Sequence, residues 1–255
     1  MKPKVCILRT AGTNCDKETY LAFELAGGNP EFVHINQFIN NKNSLDNYQI
    51  LAIPGGFSYG DDIAAGKILA NELKYKIFDQ MSRFANSGKL IIGICNGFQV
   101  LVKTGLLAEG ATLTNNDSGK FECRWIYLKP GSSDKDSPIY KIWLRGIPEV
   151  IQLPVAHGEG KFVTKDKKCL NEIKNKVSFR YCNPDKKIIE YPYNPNGSED
   201  NITGICNREG NILGMMPHPE RYIFKYQNPY WTGIKKKSEF GDGFLIFKNA
   251  VDWCL

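Results

Sequence analysis

Apolar residues in this chain fall into short β-branched runs with helical or polar stretches between them. Val5 to Leu8, Glu31 to Ile35, Ile50 to Ile53 and Leu90 to Ile94 are too short for helices and are bounded by Gly, Pro or Asn. They read as buried strands of a parallel sheet. Thr13-Asn14-Cys15-Asp16 offers turn and N-cap residues before a helix from Lys17 to Ala26, which Gly27-Gly28 ends. Asn36 to Asn47 is polar and reads as loop. Pro54-Gly55-Gly56 closes the third run, and a glycine-rich loop, Phe57 to Asp62, leads into a long helical stretch, Ala64 to Phe84. Phe98, Leu101, Val102 and Leu106 mark a helix directly after the fourth run. This alternation predicts an α/β fold with a doubly wound, mostly parallel sheet flanked by helices. Ligands in such sheets bind beyond the carboxyl ends of the strands. The loops after Leu8, Ile35, Ile53 and Ile94 are therefore expected to converge on one place.

The pattern changes after Gly105. Ala111 to Leu113, Cys123 to Leu128, Val177 to Tyr181 and Ile188 to Tyr191 read as strands. Leu153 to Val163 carries Pro-Val-Ala-His-Gly-Glu-Gly-Lys-Phe, and Tyr191 to Ser198 is a Pro/Asn/Gly loop. Ile202 to Asn207 and Ile212 to Met216 form a hairpin, and Gly243 to Leu255 is an amphipathic helix. Pro130 to Ile147 is a charged, irregular excursion without an assignment. No internal repeat or linker divides the chain, so one domain over residues 1–255 is expected.

Composition narrows the class. At 42% hydrophobic and 24% charged, the chain is an ordinary globule, and no apolar run approaches the roughly 20 residues needed to span a bilayer. The net charge of +6 comes mostly from scattered lysines. The one basic block, Lys235-Lys236-Lys237, lacks the interleaved aromatics of a nucleic-acid groove. The eight cysteines show no Cys-x-x-Cys pair and no metal-ligand spacing. With no secretory segment after Met1, free thiols and a cytoplasmic location are expected.

Chemistry concentrates where the fourth strand meets its helix. Gly93-Ile94-Cys95-Asn96-Gly97 places a cysteine on a sharp strand-to-helix turn, flanked by the small residues such a turn needs. The helix N-terminus favours a thiolate there. A thiol nucleophile needs a base, and the base needs an orienting group. Of the three histidines, His34 lies in an apolar strand and reads as structural. His157 sits in a loop and admits either a functional or a structural reading. His218 stands in Pro217-His218-Pro219-Glu220. The two prolines hold that segment extended, so His218 and Glu220 point to one side. A Cys95–His218–Glu220 set attacks acyl carbon. The N–H groups of Asn96 and of a glycine in Pro54-Gly55-Gly56 are candidates for the oxyanion hole. Because only its backbone N–H is invoked, the Asn96 side chain is expected to tolerate change better than Cys95.

Cys95-Asn96-Gly97-Phe98-Gln99 with His218-Pro219-Glu220 resembles the class I, triad-type glutamine amidotransferases, whose core is flavodoxin-like. Gly55-Gly56-Phe57-Ser58-Tyr59-Gly60-Asp61, His157-Gly158-Glu159-Gly160 and Asn194-Pro195-Asn196-Gly197-Ser198 are similar to one branch of them. That branch comprises the glutaminase subunits of the phosphoribosylformylglycinamidine synthases of purine biosynthesis. The resemblance implies that Cys95, His218 and Glu220 are catalytic and that Gly56 and Asn96 form the oxyanion hole. It further implies that Phe57, Gln99, Asn194, Asn196 and Gly197 bind glutamine. It implies no metal and no cofactor in this chain. It implies transfer of ammonia to an ATP- and Mg-dependent synthetase subunit, in some cases with a small third subunit. Cys15 carries no histidine near it in sequence and reads as structural or interfacial. Three rivals keep the fold: a glutaminase subunit of another ammonia-using synthetase, a Cys hydrolase with another acyl donor, which the His-Pro-Glu motif disfavours, and a catalytically silent homologue acting as a binding subunit, which the intact Cys95, His218 and Glu220 disfavour.

Overall fold

The apolar runs that open the chain form the parallel half of one sheet. In a computed structural model of the chain, residues 1–132, 134–185, 189–233 and 238–255 are described. Strands β1 (Lys4–Arg9), β2 (Asn29–His34), β3 (Ile50–Ile53) and β4 (Leu90–Ile94) lie in the order β2-β1-β3-β4 and pair in parallel. β5 (Ala111–Thr114) and β8 (Lys161–Thr164) make a separate two-stranded ribbon. The large sheet continues through β11 (Ile212–Met215), which is parallel to β4. It then runs antiparallel through β10 (Ile202–Cys206), β9 (Val177–Cys182), β6 (Glu122–Pro130) and β7 (Ile151–His157). Every residue of β3, β4 and β11 is buried, as expected of strands covered on both faces.

Helices α1 (Asp16–Leu25), α2 (Ile35–Ile39), α3 (Lys67–Glu72), α4 (Phe78–Asn86) and α5 (Asn96–Thr104) follow the parallel strands. The chain moves outward from β1 to β2 and back inward through β3 to β4. Right-handed crossovers therefore put α1 on one face and α3–α4 on the other. A π-helical turn, Leu73–Ile77, joins α3 to α4, so the long helical stretch expected from Ala64 is one interrupted rod ending at Asn86. The rod shares its face with α5, while the final helix α7 (Phe244–Trp253) packs beside α1 through an edge-to-face contact of Phe23 and Phe247.

Four segments differ from the sequence reading. Asn36–Asn47 is not all loop, because the exposed His34 accepts a hydrogen bond from the Asn36 amide and caps α2. His34 is thus structural as a surface helix cap, not as a core residue. The helix α6 (Lys167–Ile173) was not expected; it is short, capped by Asp166, and buries only Cys169 and Ile173. The excursion from Pro130 is no surface insertion. Ile139, Ile142, Trp143 and Leu144 are buried, and the Trp143 indole donates to the Gly210 carbonyl. Asn249 on α7 donates to the carbonyls of Trp143 and Arg145. Of the strand expected over Ile188 to Tyr191, residue 188 and the basic block 235–237 lie outside the described residues; residues 189–191 are not strand.

The antiparallel half curls back over the parallel half. Its pairing shifts register between β9 and β10, which bends the ladder. The bend brings the far strand home: the His218 amide donates to Pro154 of β7. By the pairing directions, the carboxyl end of β7 lies at the same end as those of β1, β3, β4 and β11.

Candidate active site

Cys95 links β4 to α5 with φ 52° and ψ −106°, a conformation that strains any residue with a side chain. Neighbouring glycines make the turn feasible. A Cβ on Gly97 would lie 1.9 Å from the Ile53 carbonyl oxygen, and one on Gly93 would lie 2.5 Å from the Gly97 carbonyl oxygen. The thiol is nearly buried and points toward the carbonyl of Ala156, 3.6 Å away.

His218 follows β11 with φ −101° and ψ 87°, and Pro219–Arg221 close into a 3-10 turn instead of the extended segment expected; the turn still leaves His218 and Glu220 together and fully buried. Its Nδ1 lies 2.7 Å from Glu220 Oε1. Nε2 is buried and has no well-formed hydrogen-bond partner among the described residues. Burial by itself would pull the imidazole pKa down. Glu220 and then the nearby Cys95 outweigh it, and the net shift is well upward. A strong base with a free Nε2 therefore faces a cysteine on a strained turn.

Of the two readings the sequence left for Cys15, the structural one holds, but its partners were not foreseen. It is buried, not interfacial. It sits 203 positions from His218, but its Sγ lies 3.9 Å from Nδ1. The Arg221 guanidinium donates to the same sulfur at 3.0 Å. The signal in the sequence is slight: Arg221 directly follows the motif, and Cys15 opens the helix after β1. Cys15, His218 and Glu220 offer donor atoms within 4.8 Å of one another, as a soft cation would require. The guanidinium on the sulfur and the Glu220–His218 bond already engage them, and we assign no metal there.

A cavity of about 200 Å³ opens beside the thiol, lined by Gly56, Phe57, Cys95, Gln99, Phe121, Ala156, His157 and Glu159 among others. Phe57 is half exposed at its mouth, with its ring 6.5 Å from that of Phe121. Gly56 has φ 146° and is bridged to Thr13; a Cβ there would strike Gly12 O at 2.7 Å and Asn14 N at 2.8 Å. The Phe57 and Tyr59 amides donate to Gly12 and Ala11. The loop after β1 is thereby zipped to the loop after β3, which fixes Gly56. The loop after β2 does not join them. It lines a separate groove with Arg9, His34, Gln37 and Asn43, because β2 is the edge strand.

Asn96 is fixed by its side chain as well as its backbone. Its Oδ1 accepts from the Ser58 amide at 3.2 Å and from the Ser58 hydroxyl. Its Nδ2 donates to Asp61 Oδ1 and Gln99 Oε1, each at 3.1 Å. The side chain thus has a structural role that the reading of its backbone N–H alone did not include. Gln99 lines the cavity, but its amide is already engaged, since Nε2 donates to the Glu159 carbonyl at 2.6 Å.

Asn194, Asn196 and Gly197 do not line this cavity. Asn194 and Gly197 line a different cavity with Asp117 and Tyr191. Asn196 is buried and donates to the Gly160 carbonyl and the Tyr181 hydroxyl, so it braces the segment after His157. His157, whose role the sequence left open, is buried beside the cavity. Asn116 Nδ2 donates to the Lys120 and His157 carbonyls, which leaves its Oδ1 to accept from His157 Nδ1 at 3.2 Å. Burial and the neighbouring His218 push this imidazole down to about 4, so it is neutral at pH 7.

Comparison with known proteins adds the remaining evidence. Residues 2–254 match the CobB/CobQ-like glutamine amidotransferase domain. A phosphoribosylformylglycinamidine synthase subunit PurQ from Dehalococcoides mccartyi is 47% identical, over 99% of this chain and 98% of its own length. One from Treponema denticola is 43% identical over 88% of this chain and 89% of its own length. A chain of the PurLQS structure from Thermotoga maritima superposes with a TM-score of 0.76 at 34% identity, covering all of both chains. At 16% identity and a TM-score of 0.52, a glutamine amidotransferase from Thermotoga maritima shares the fold, with 98% of this chain and 90% of that one covered.

Proposed function

This chain belongs to the CobB/CobQ-like glutamine amidotransferase family, and from that premise we propose how its residues divide the work. It is the glutaminase subunit of a phosphoribosylformylglycinamidine synthase and partners the synthetase subunit of that complex. The observation that carries the assignment of roles is the His218–Glu220 pair, 2.7 Å apart, facing Cys95 on its strained turn.

The Cys95 thiol gives its proton to His218 Nε2 and attacks the side-chain amide carbon of glutamine. Glu220 holds Nδ1–H and stabilises the imidazolium that forms. The tetrahedral oxyanion is met by the backbone N–H groups of Gly56 and of Asn96 at the head of α5. The C–N bond breaks as the imidazolium returns its proton to the departing nitrogen, so ammonia and a Cys95 thioester result. Water, deprotonated by His218, cleaves the thioester to glutamate and restores the thiol. The residue between Cys95 and the solvent is Phe57, paired with Phe121.

Free ammonia is mostly protonated in neutral water, and ammonium is no nucleophile. A dry path into the partner keeps it reactive, where it converts formylglycinamide ribonucleotide to its amidine. The chain acts as a single domain, which the family match over residues 2–254 supports. It needs no metal or cofactor for glutamine hydrolysis; ATP and Mg are used by the synthetase. The location is cytoplasmic, in keeping with a purine-pathway enzyme; no helix among the described residues is long and apolar enough to cross a membrane. Asn196 supports the site by bracing the 157–160 segment through the Gly160 carbonyl, and Asn194 holds the turn at Gly197 and Ser198.

Replacing Cys95 tests the assignment. Cys95→Ala and Cys95→Ser are expected to abolish glutaminase activity with the circular dichroism spectrum unchanged. Wild-type hydrolysis by Cys95→Ala would remove Cys95 from the reaction.

A further inference from the structure

Two buried atoms beside His218 are out of keeping with their neighbours. Glu220 Oε1 bonds the imidazole, but Oε2 is buried without a hydrogen-bond partner among the described residues. Arg221, next in the chain, carries the group best suited to it, because arginine–carboxylate bonds are short and strong. The guanidinium goes elsewhere, to the Cys15 sulfur at 3.0 Å. A thiol is a weak acceptor, so this arrangement has to be enforced. The enforcement is visible. The Cys15 amide donates to the Gly55 carbonyl at 3.2 Å, and Thr19 on α1 donates its hydroxyl to the Cys15 carbonyl at 2.6 Å. The sulfur is thereby fixed between α1 and the loop after β3. A Cβ on Gly55 would lie 2.9 Å from His218 Cε1 and 3.3 Å from that sulfur, so the space is full.

We infer that Cys15 is a positioning residue that holds the Arg221 guanidinium away from Glu220 and so leaves the carboxylate's charge for His218. Were Arg221 to cap Oε2, its positive charge would offset Glu220 and weaken the imidazole as a base. The groups facing His218 are Glu220 and Arg221 from its own segment, Cys15 from the head of α1, Cys95 from the turn after β4, and His157 from the end of β7. Of these, Glu220 and Arg221 carry fixed opposite charges, and the distance between them is what Cys15 sets. Cys15 itself stays a neutral thiol, since burial pushes its pKa up.

The inference rests on the proposed role of His218, and its test is read by NMR so that the two fail separately. The His218 ring is followed by nitrogen-15 labelling of the histidines in the full chain, through a pH titration. Cys15→Ala is expected to lower the His218 midpoint by about one unit, a tenfold loss of proton affinity. The double variant Cys15→Ala with Arg221→Gln is expected to restore it, because the displaced charge is gone. Cys15→Ser keeps an acceptor at the site and is expected to stay near the wild-type midpoint. In glutamine hydrolysis, Cys15→Ala lowers kcat and leaves KM unchanged. If Cys15→Ala fails to fold, Cys15→Val fills the space without accepting a hydrogen bond and carries the same expectation. An unchanged midpoint in the folded variant, or a fall that persists in the double variant, overturns the inference.

Discussion

At the scale of single residues, the site depends on side chains whose importance lies in what they hold. Asn96 was expected to matter only through its N–H. Its side chain instead ties Ser58, Asp61 and Gln99 to the head of α5. Asn96→Ala leaves those groups buried with fewer partners, at a cost of about 1–3 kcal/mol. It is expected to lower the urea midpoint accordingly and to reduce glutaminase activity. A stability within about 0.5 kcal/mol of wild type, typical of an ordinary surface change, would contradict the network. His157 makes a prediction about pH. Its imidazole has an ordinary value of 6.5 and lies at about 4 when folded. Between those values the unfolded chain binds a proton that the folded one refuses, so stability is complete above pH 6.5 and declines as pH falls toward 4. The loss is about 3 kcal/mol. Denaturant unfolding of wild type and His157→Gln across that range checks it: the difference between them should shrink as pH falls. A constant difference would count against a neutral, buried His157.

At the scale of elements, the turn between β4 and α5 is held against backbone on both sides. Gly97 sits where any Cβ would meet the Ile53 carbonyl at 1.9 Å. Backbone on both sides prevents relief, so Gly97→Ala is expected to destabilise by about 3 kcal/mol and to displace Cys95. Equal stability to wild type in urea would show that β3 and α5 are less closely packed than described. This turn was legible in the sequence, because small residues around a nucleophile and an apolar run before it are local features. So were the strands of the parallel half and the pairing of His218 with Glu220, although a 3-10 turn brings the two together and not the extended backbone that the prolines suggested. Helices α2 and α6 were not legible: one is capped by a histidine, the other buries two residues, and neither sets up a periodic pattern. The buried Trp143 segment reads as irregular because its hydrophobic residues fall in a five-residue π-helical turn, off the 3.6 period.

At the scale of the whole molecule, function follows from which strand ends meet. Parallel pairing brings the ends of β1, β3, β4 and β11 to one edge, which the order of the elements already implied. The curl of the antiparallel half adds β7, with His157 and the carbonyl of Ala156. Nothing local in the sequence announces that curl. The position of Cys15 was missed for the same reason, since its partners lie some 200 positions away and are joined only by the sheet. Exposed Phe57 and Phe121 stand at this same edge and line the cavity beside the thiol. A chain built to deliver ammonia should work with its partner and work poorly without it.

The measurement that tests this most directly is glutamate release from glutamine by the purified chain. It is made alone and with the synthetase subunit, ATP, Mg and formylglycinamide ribonucleotide. A low rate alone that rises sharply on mixing, and disappears in both tubes for Cys95→Ala, is the predicted result. A rate of zero in both tubes for the wild-type chain, or a rate indifferent to the Cys95 substitution, would contradict it.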